Sequence, residues 1–186
     1  MPSGLAAVEG VSMGSSPSMT RPLCAPPRRF LPAGRIQSAW LSEGPFAHAS
    51  SGGTPAQRAG LRYEAKVLKH LAETFPGFQP SRWMSFQGEG GRRRFCQVDG
   101  LLAEGALAIF EVKLRFTSDA YFQLSQLYKP VVEAIYGRSV ESLVVVCKYF
   151  DPATPFPSPI YHVSSLDLSA LRGIPRERVG VYTWRR

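Results

Sequence analysis

Asp99 and the triplet Glu111-Val112-Lys113 are the residues of this chain best placed to do chemistry. Residues two apart on a strand share a face, so Glu111 and Lys113 project together while Val112 turns into a core. Asp99 ends the preceding strand candidate, where a short turn brings it beside Glu111. Two carboxylates and an ammonium then converge at one point. Burying three charges beside an apolar strand is costly without compensation. A divalent cation between Asp99 and Glu111 compensates, and hard oxygen ligands with retained waters suit Mg²⁺ or Mn²⁺. Such an ion polarises a phosphate oxygen and activates water, while Lys113 stabilises charge or positions that water. The expected chemistry is metal-assisted phosphodiester hydrolysis. The bland alternative is a surface strand with a same-face Glu111–Lys113 ion pair. Ala108-Ile109-Phe110 and Val112 argue instead for a central strand. A second acid-any-lysine triplet, Glu64-Ala65-Lys66, falls on a helix, where positions two apart diverge.

The elements that must hold these residues are readable from pattern. Thr54 is an N-cap candidate with Pro55 at the first helical position. Leu61, Ala65, Leu68, Ala72 and Phe75 recur at helical spacing, and Pro76-Gly77 stops the helix. Strand candidates follow at Trp83–Gln87, Arg93–Asp99, Ala106–Leu114 and, after a second helix, Ser142–Tyr149. Gly88-Glu89-Gly90-Gly91 reads as the hairpin connection between the first two. The second helix opens after Thr117-Ser118-Asp119, and Pro130 should kink or split it before Gly137 ends it. Leu143-Val144-Val145-Val146-Cys147 is a near-continuous apolar run, as in strands buried on both faces with some parallel pairing. Asp151–Pro159 is a proline-rich loop. Ile160–Val163 and Val179–Trp184 are edge-strand candidates with a short helix at Leu166–Leu171 between them. The order predicts an α/β (α+β) fold with one mixed sheet flanked by helices.

The chain has 186 residues, one domain's worth or one domain with a tail. Residues 1–54 hold seven of the 16 prolines and only four basic and two acidic side chains. This composition predicts a largely disordered tail, with an organelle transit peptide as the alternative. A mildly apolar patch, Phe30–Leu41, offers a docking segment, and Ser50-Ser51-Gly52-Gly53 reads as a linker. Residues 55–186 form the predicted domain and carry most of the net charge of +8. Such a basic domain favours anionic partners. No apolar run approaches the ~20 residues that span a bilayer, so no membrane association is expected. Cys24, Cys96 and Cys147 are too few and scattered for a disulfide framework or a zinc site. No secretory signal is evident, so the expected location is cytoplasmic.

Asp99, the 11-residue gap and Glu111-Val112-Lys113 resemble the PD-(D/E)XK nuclease superfamily. The order helix, three strands, helix, strand matches that family's restriction-endonuclease-like core over roughly residues 55–150. Val98 stands where the family often has proline. The resemblance implies a Mg²⁺- or Mn²⁺-dependent deoxyribonuclease, with the Val112 carbonyl as a third protein ligand beside Asp99 and Glu111. It implies a catalytic role for Lys113 and for Glu64, which matches the glutamate often found on the family's first helix. Exonuclease-like members carry a glutamine with a following aromatic on the helix after the lysine. Gln123-Leu124-Ser125-Gln126-Leu127-Tyr128 resembles that motif; the family's tyrosine commonly comes four residues after the glutamine, whereas Tyr128 comes five after Gln123 and two after Gln126, which leaves open which glutamine corresponds. The competing reading is a catalytically inactive protein of this fold that binds nucleic acid or serves in assembly. The intact acidic pair and lysine argue against it.

The DNA contacts expected are Arg92, Arg93 and Arg94 after the glycine-rich turn, Arg115 continuing the Glu111–Lys113 face, and Tyr128 of the glutamine motif. Arg93 alternates with Phe95, Gln97 and Asp99 onto the active face. A solvated hairpin tip is the alternative for the three consecutive arginines.

Overall fold

The computed structural model describes residues 38–45, 53–87, 91–151 and 159–186. The character of residues 1–37, the transit-peptide alternative, most of the Ser50–Gly53 linker, Gly88–Gly90 and the centre of the Asp151–Pro159 loop lie outside the described residues. The elements run β1 (Ser38–Leu41), α1 (Pro55–Thr74), β2 (Phe78–Gln87), β3 (Arg93–Leu102), β4 (Ala108–Arg115) and α2 (Ser118–Phe122). A π-helical segment (Gln123–Tyr128) leads directly into α3 (Lys129–Tyr136). β5 (Ser142–Tyr149), β6 (Ile160–Val163), α4 (Leu168–Arg172) and β7 (Val179–Thr183) complete the order. Among the described residues no helix is long and apolar enough to cross a membrane.

Among the described residues seven strands form one mixed sheet in the order β1-β2-β3-β4-β5-β7-β6. β1 to β4 pair antiparallel, whereas β4 with β5, β5 with β7 and β6 with β7 pair parallel. β4 and β5 are the centre, buried on both faces for most of their length, as the unbroken apolar run of β5 implies.

Helix α1 starts where its cap residues dictate. Thr54 Oγ1 accepts from the Gln57 N–H at 3.2 Å, and Gln57 Oε1 accepts from the Thr54 N–H at 2.7 Å, a reciprocal capping box. The face it buries differs from the apolar stripe expected. Tyr63, Val67 and Leu71 go into the core, continued by Phe75, while Leu61 is 64% exposed. Two partly apolar stripes compete on this helix, and the sheet takes the one carrying tyrosine and valine. Tyr63 is held there by a hydrogen bond from its hydroxyl to the Trp184 carbonyl at 2.9 Å. Against this stripe pack Phe110 and Val112 of β4 and Val144 and Val146 of β5. The opposite layer is built by Ala120, Leu124, Tyr128, Val131 and Val132 against Ile109, Val145 and Cys147. Cys96 and Cys147 are buried in it.

Two strands are longer than their patterns suggest, and one was not evident at all. β2 begins at Phe78 rather than Trp83, and β3 runs through Asp99 to Leu102. β1 lies in the stretch whose composition reads as tail. It pairs along the edge of β2, with Ser38 opposite Phe86 and Leu41 opposite Trp83. Trp40 carries the Arg82 guanidinium 5.1 Å from its ring centroid and meets Tyr136 edge-on at 5.8 Å.

The hairpin of β2 and β3 contains an inversion. Met84, Phe86, Cys96, Val98 and Leu101 belong to the α2–α3 layer, whereas Phe78 and Leu102 pack in the α1 layer. Simple alternation would put Val98 and Leu101 on opposite faces. The faces exchange at one rung, where Ser81 has a φ of +51° and its neighbours Pro80 and Arg82 pair with Gly100 and Val98. A left-handed residue in a strand turns the pleat over. Asp99 sits at that exchange. Gly100 beside it lets the Phe78 ring pack close, since a Cβ there would meet Phe78 Cζ at 2.3 Å and displace the ring.

Candidate active site

Strands β3 and β4 pair through Leu102–Ala108, Leu101–Ile109 and Gly100–Phe110, and there the ladder stops. One further step would set Asp99 opposite Glu111. The two residues therefore meet through strand register, with β3 continuing past Asp99, and no turn at the end of a strand is involved. Where the strands part, the backbone N–H of Val112 donates to Asp99 Oδ2 at 2.7 Å. A side-chain oxygen stands in for a ladder carbonyl, and this fixes the Asp99 carboxylate beside β4.

Glu111 is 1% exposed. Its Oε1 pairs with Lys113 Nζ on the same strand face. Its Oε2 is buried and has no hydrogen-bond partner among the described residues. Burial chiefly, then the charge of Asp99, pushes the Glu111 carboxyl up to about 7, with Glu64 adding to the rise and Lys113 opposing it. Asp99 is also raised, first by burial, with the Val112 N–H and Lys113 pulling the other way. Glu64, on α1, is raised by burial and by Asp99. Burial works against the charge on Lys113, but Glu111, Asp99 and Glu64 outweigh it and hold its pKa above the ordinary value. The acids rise chiefly because they are buried, and the lysine rises because three carboxylates face it. Glu64 thus belongs to the cluster even though its helix packs on the other side of the sheet from Tyr128.

The excess of negative charge and the orphaned Glu111 Oε2 are what a hard divalent cation would relieve. Among the described residues no group of three His, Cys, Asp or Glu side chains is arranged to hold a metal by itself. A cation here would take Asp99, Glu111, a backbone oxygen and water, a ligand set that suits Mg²⁺, which keeps several waters.

Gln123 and Gln126 are separated by the π segment. The Lys129 N–H donates to the Leu124 carbonyl, an i→i+5 bond. In an α-helix, residues five apart lie roughly 140° from alignment. The wider π turn brings them towards one face. Gln123, half-buried, therefore comes towards the side of the helix that carries Tyr128, whereas Gln126 is exposed. The motif's extra residue is absorbed by the change of helix type. Pro130, expected to kink or split the helix, lies just beyond this segment as the second residue of α3. It supplies no N–H, and the hydrogen-bond register changes immediately before it.

Tyr128 is 5% exposed and packed in the core. Of the residues expected to contact DNA, it is the one placed in the core. Burial, then Glu111 and Asp99, hold its hydroxyl well above the usual phenol range, so it faces the carboxylates as a neutral group. The arginines expected to touch DNA lie at the ends of two strands, Arg92–Arg94 at the start of β3 and Arg115 at the end of β4. Arg92 and Arg94 are exposed at the start of the β3 hairpin arm. Arg93 donates to Ser85 Oγ at 3.3 Å and lies 5.4 Å from the Phe95 ring centroid. Six strand residues, roughly 20 Å, separate Arg93 from Asp99. Arg115 is two residues beyond Lys113, over the Tyr149 ring at 5.8 Å.

Sequence reasoning missed Ser81 and Gly100, which shape the rung that carries Asp99. A proline-serine pair opposite an aspartate-glycine pair was the available signal. No protein-family model matches the chain, and no curated protein or solved structure matches it.

Proposed function

We propose that this chain is a divalent-metal-dependent nuclease acting on DNA, with a restriction-endonuclease-like core of the PD-(D/E)XK type. The observation that carries the reading is the buried Glu111, one oxygen paired with Lys113 and the other orphaned, opposite Asp99 where β3 and β4 part. Supporting it is the succession α1, β2 to β4, the α2–α3 helical stretch and β5, the order expected of that core.

Asp99, Glu111 and the Val112 carbonyl would hold Mg²⁺ or Mn²⁺. When bound, the ion supplies Lewis acidity towards a phosphate oxygen and lowers the pKa of water. Lys113 neutralises Glu111 in the resting site. With a cation beside Glu111, its ammonium is free to turn to the charge that develops on the scissile phosphate. Glu64 extends the acidic cluster from α1, and Gln123 and Tyr128 border it from the helical layer.

The test is a Mg²⁺ and Mn²⁺ titration with plasmid, linear, single-stranded and branched DNA, comparing wild type with Glu111→Gln. Metal-dependent cleavage by the wild type that is absent from the variant supports the proposal. Equal activity of the two removes Glu111 from the chemistry. No cleavage of any substrate favours the binding or assembly reading, for which the Lys113–Glu111 pair is a self-neutralised relic of a site.

A further inference from the structure

A cavity of about 300 Å³ opens on the α1 side of the sheet, where β4 and β5 end. Arg62 and Lys66, one turn apart on α1, line it together with Lys148 of β5 and Arg186. Leu114 and the Tyr149 ring contribute apolar surface. No acidic residue is among its described lining residues. Four cations around one hollow repel each other unless an anion enters. The carboxyl ends of parallel strands are where open α/β sheets place ligands. Tyr149 is 50% exposed, with Arg115 and Lys148 each 5.8 Å from its ring centroid. Both cations lie over the exposed ring, and an unpaired base stacks there as they turn to its phosphates. The cavity adjoins the acidic cluster through covalent neighbours: Leu114 follows Lys113, and Glu64 lies between Arg62 and Lys66.

We infer that this cavity seats phosphate of a single polynucleotide strand, with a base against Tyr149. The inference rests on the nuclease reading for its class of partner and names the strand's path. That path crosses the ends of β4 and β5 and the first half of α1, and it bypasses the Arg92–Arg94 hairpin. A duplex fits less well, because its bases are stacked on one another and unavailable to Tyr149.

The experiment is equilibrium binding of a fluorescent single-stranded oligonucleotide to the full chain, in Ca²⁺ over a salt series. The variants are Arg62→Ala/Lys148→Ala, its charge-keeping counterpart Arg62→Lys/Lys148→Arg, Tyr149→Ala, and Lys69→Ala as a surface control outside the cavity. The double alanine variant should weaken binding and lower the log–log salt slope by about 0.7 for each phosphate no longer neutralised. The charge-keeping variant should restore the slope, and Lys69→Ala should leave it unchanged. Tyr149→Ala should weaken binding roughly 5- to 100-fold with little change in slope. Oligonucleotides with a 5′-phosphate, a 3′-phosphate or neither distinguish the sources of the phosphate. A terminal-phosphate preference that disappears in the double variant places a strand end in the cavity. Equal binding of all three, still abolished in the variant, places an internal diester there. Wild-type affinity and slope in the double variant would overturn the inference, as would duplex preference with a neutral Tyr149→Ala. Binding through the cavity without cleavage in Mg²⁺ would leave the cavity standing and sink the nuclease reading. Cleavage that ignores the cavity variants would do the reverse.

Discussion

Asp99 Oδ2 accepts the Val112 N–H at 2.7 Å, just beyond Gly100–Phe110, the last ladder pair of β3 with β4. The same carboxylate is thus asked to close a gap in a sheet and to sit beside Glu111. These two duties separate in mutants. Asp99→Asn retains an acceptor for the amide, whereas Asp99→Ala leaves it short of a partner in a half-buried place. The alanine variant should be less stable than the asparagine variant by about 1–3 kcal/mol in denaturant titrations. Both should lose cleavage. Equal stabilities would mean that the Asp99–Val112 bond contributes nothing to folding.

The pH dependence of the metal-free protein follows from Glu111. Its carboxyl is raised from 4.5 to about 7, so folding favours its protonated form. The contribution of that form to stability is complete below the unfolded value and is lost as pH rises through about 7. In a chelator, Glu111→Gln should therefore be more stable than wild type at pH 8, by a few kcal/mol at most, and close to it at pH 4. Adding Mg²⁺ at pH 8 should raise the wild-type Tm and leave Glu111→Gln nearly unmoved. A Mg²⁺ shift of equal size in both would place the ion elsewhere.

The two glutamines should behave differently. Gln123→Ala is expected to lower turnover about tenfold or more, and Gln126→Ala to stay within about twofold of wild type. Deleting Gln126 removes the residue that the π segment accommodates and leaves the tyrosine four positions after Gln123. That variant should fold with a regular α-helix there and keep a similar Tm. Collapse of its fold would show that the π segment is itself a packing requirement.

Truncation maps the edge of the sheet. Removing residues 1–36 takes away mainly Pro- and Ser-rich sequence, with the first part of the Phe30–Leu41 patch, and should hardly change Tm. Removing residues 1–50 also takes β1 and Trp40, exposing the edge of β2. It should cost about 2 kcal/mol and promote association between chains through that edge. Identical melting for the two truncations would mean that β1 adds nothing to the sheet.

Elements with strong local signals were legible in the sequence. The cap at Thr54, the run in β5 and the stop at Gly137, whose φ is +64°, each announce themselves within a few residues. What stayed hidden depends on partners distant in sequence. Ser38–Leu41 is four residues long in a proline-rich stretch, and only pairing with Phe86 to Trp83 makes it a strand. Pro80 and Ser81 disguised the first half of β2. Alternation alone placed Glu111 and Lys113 on one face, and there they form an ion pair. Their relation to Asp99 required a register that no local pattern encodes. The buried stripe of α1 was set by what the sheet and Trp184 offer, and propensity alone favoured another. Pro130 signalled a break in the helix without saying that the break would be a wider turn.

The exchange of faces at Ser81 and Asp99 bears on folding fidelity. An evenly alternating hairpin can slip by two residues and still bury the same kind of side chain, since its pleat repeats every second position. This one cannot. Such a slip would carry Gly100 away from the Phe78 ring, where a Cβ has no room, and set the turned-over half of one strand against the unturned half of the other. Mispaired states are penalised at every offset, odd or even. The rung that carries Asp99 is therefore proofread by apolar packing within the β2–β3 hairpin, and its step against Glu111 is left to the separate pairing of β3 with β4.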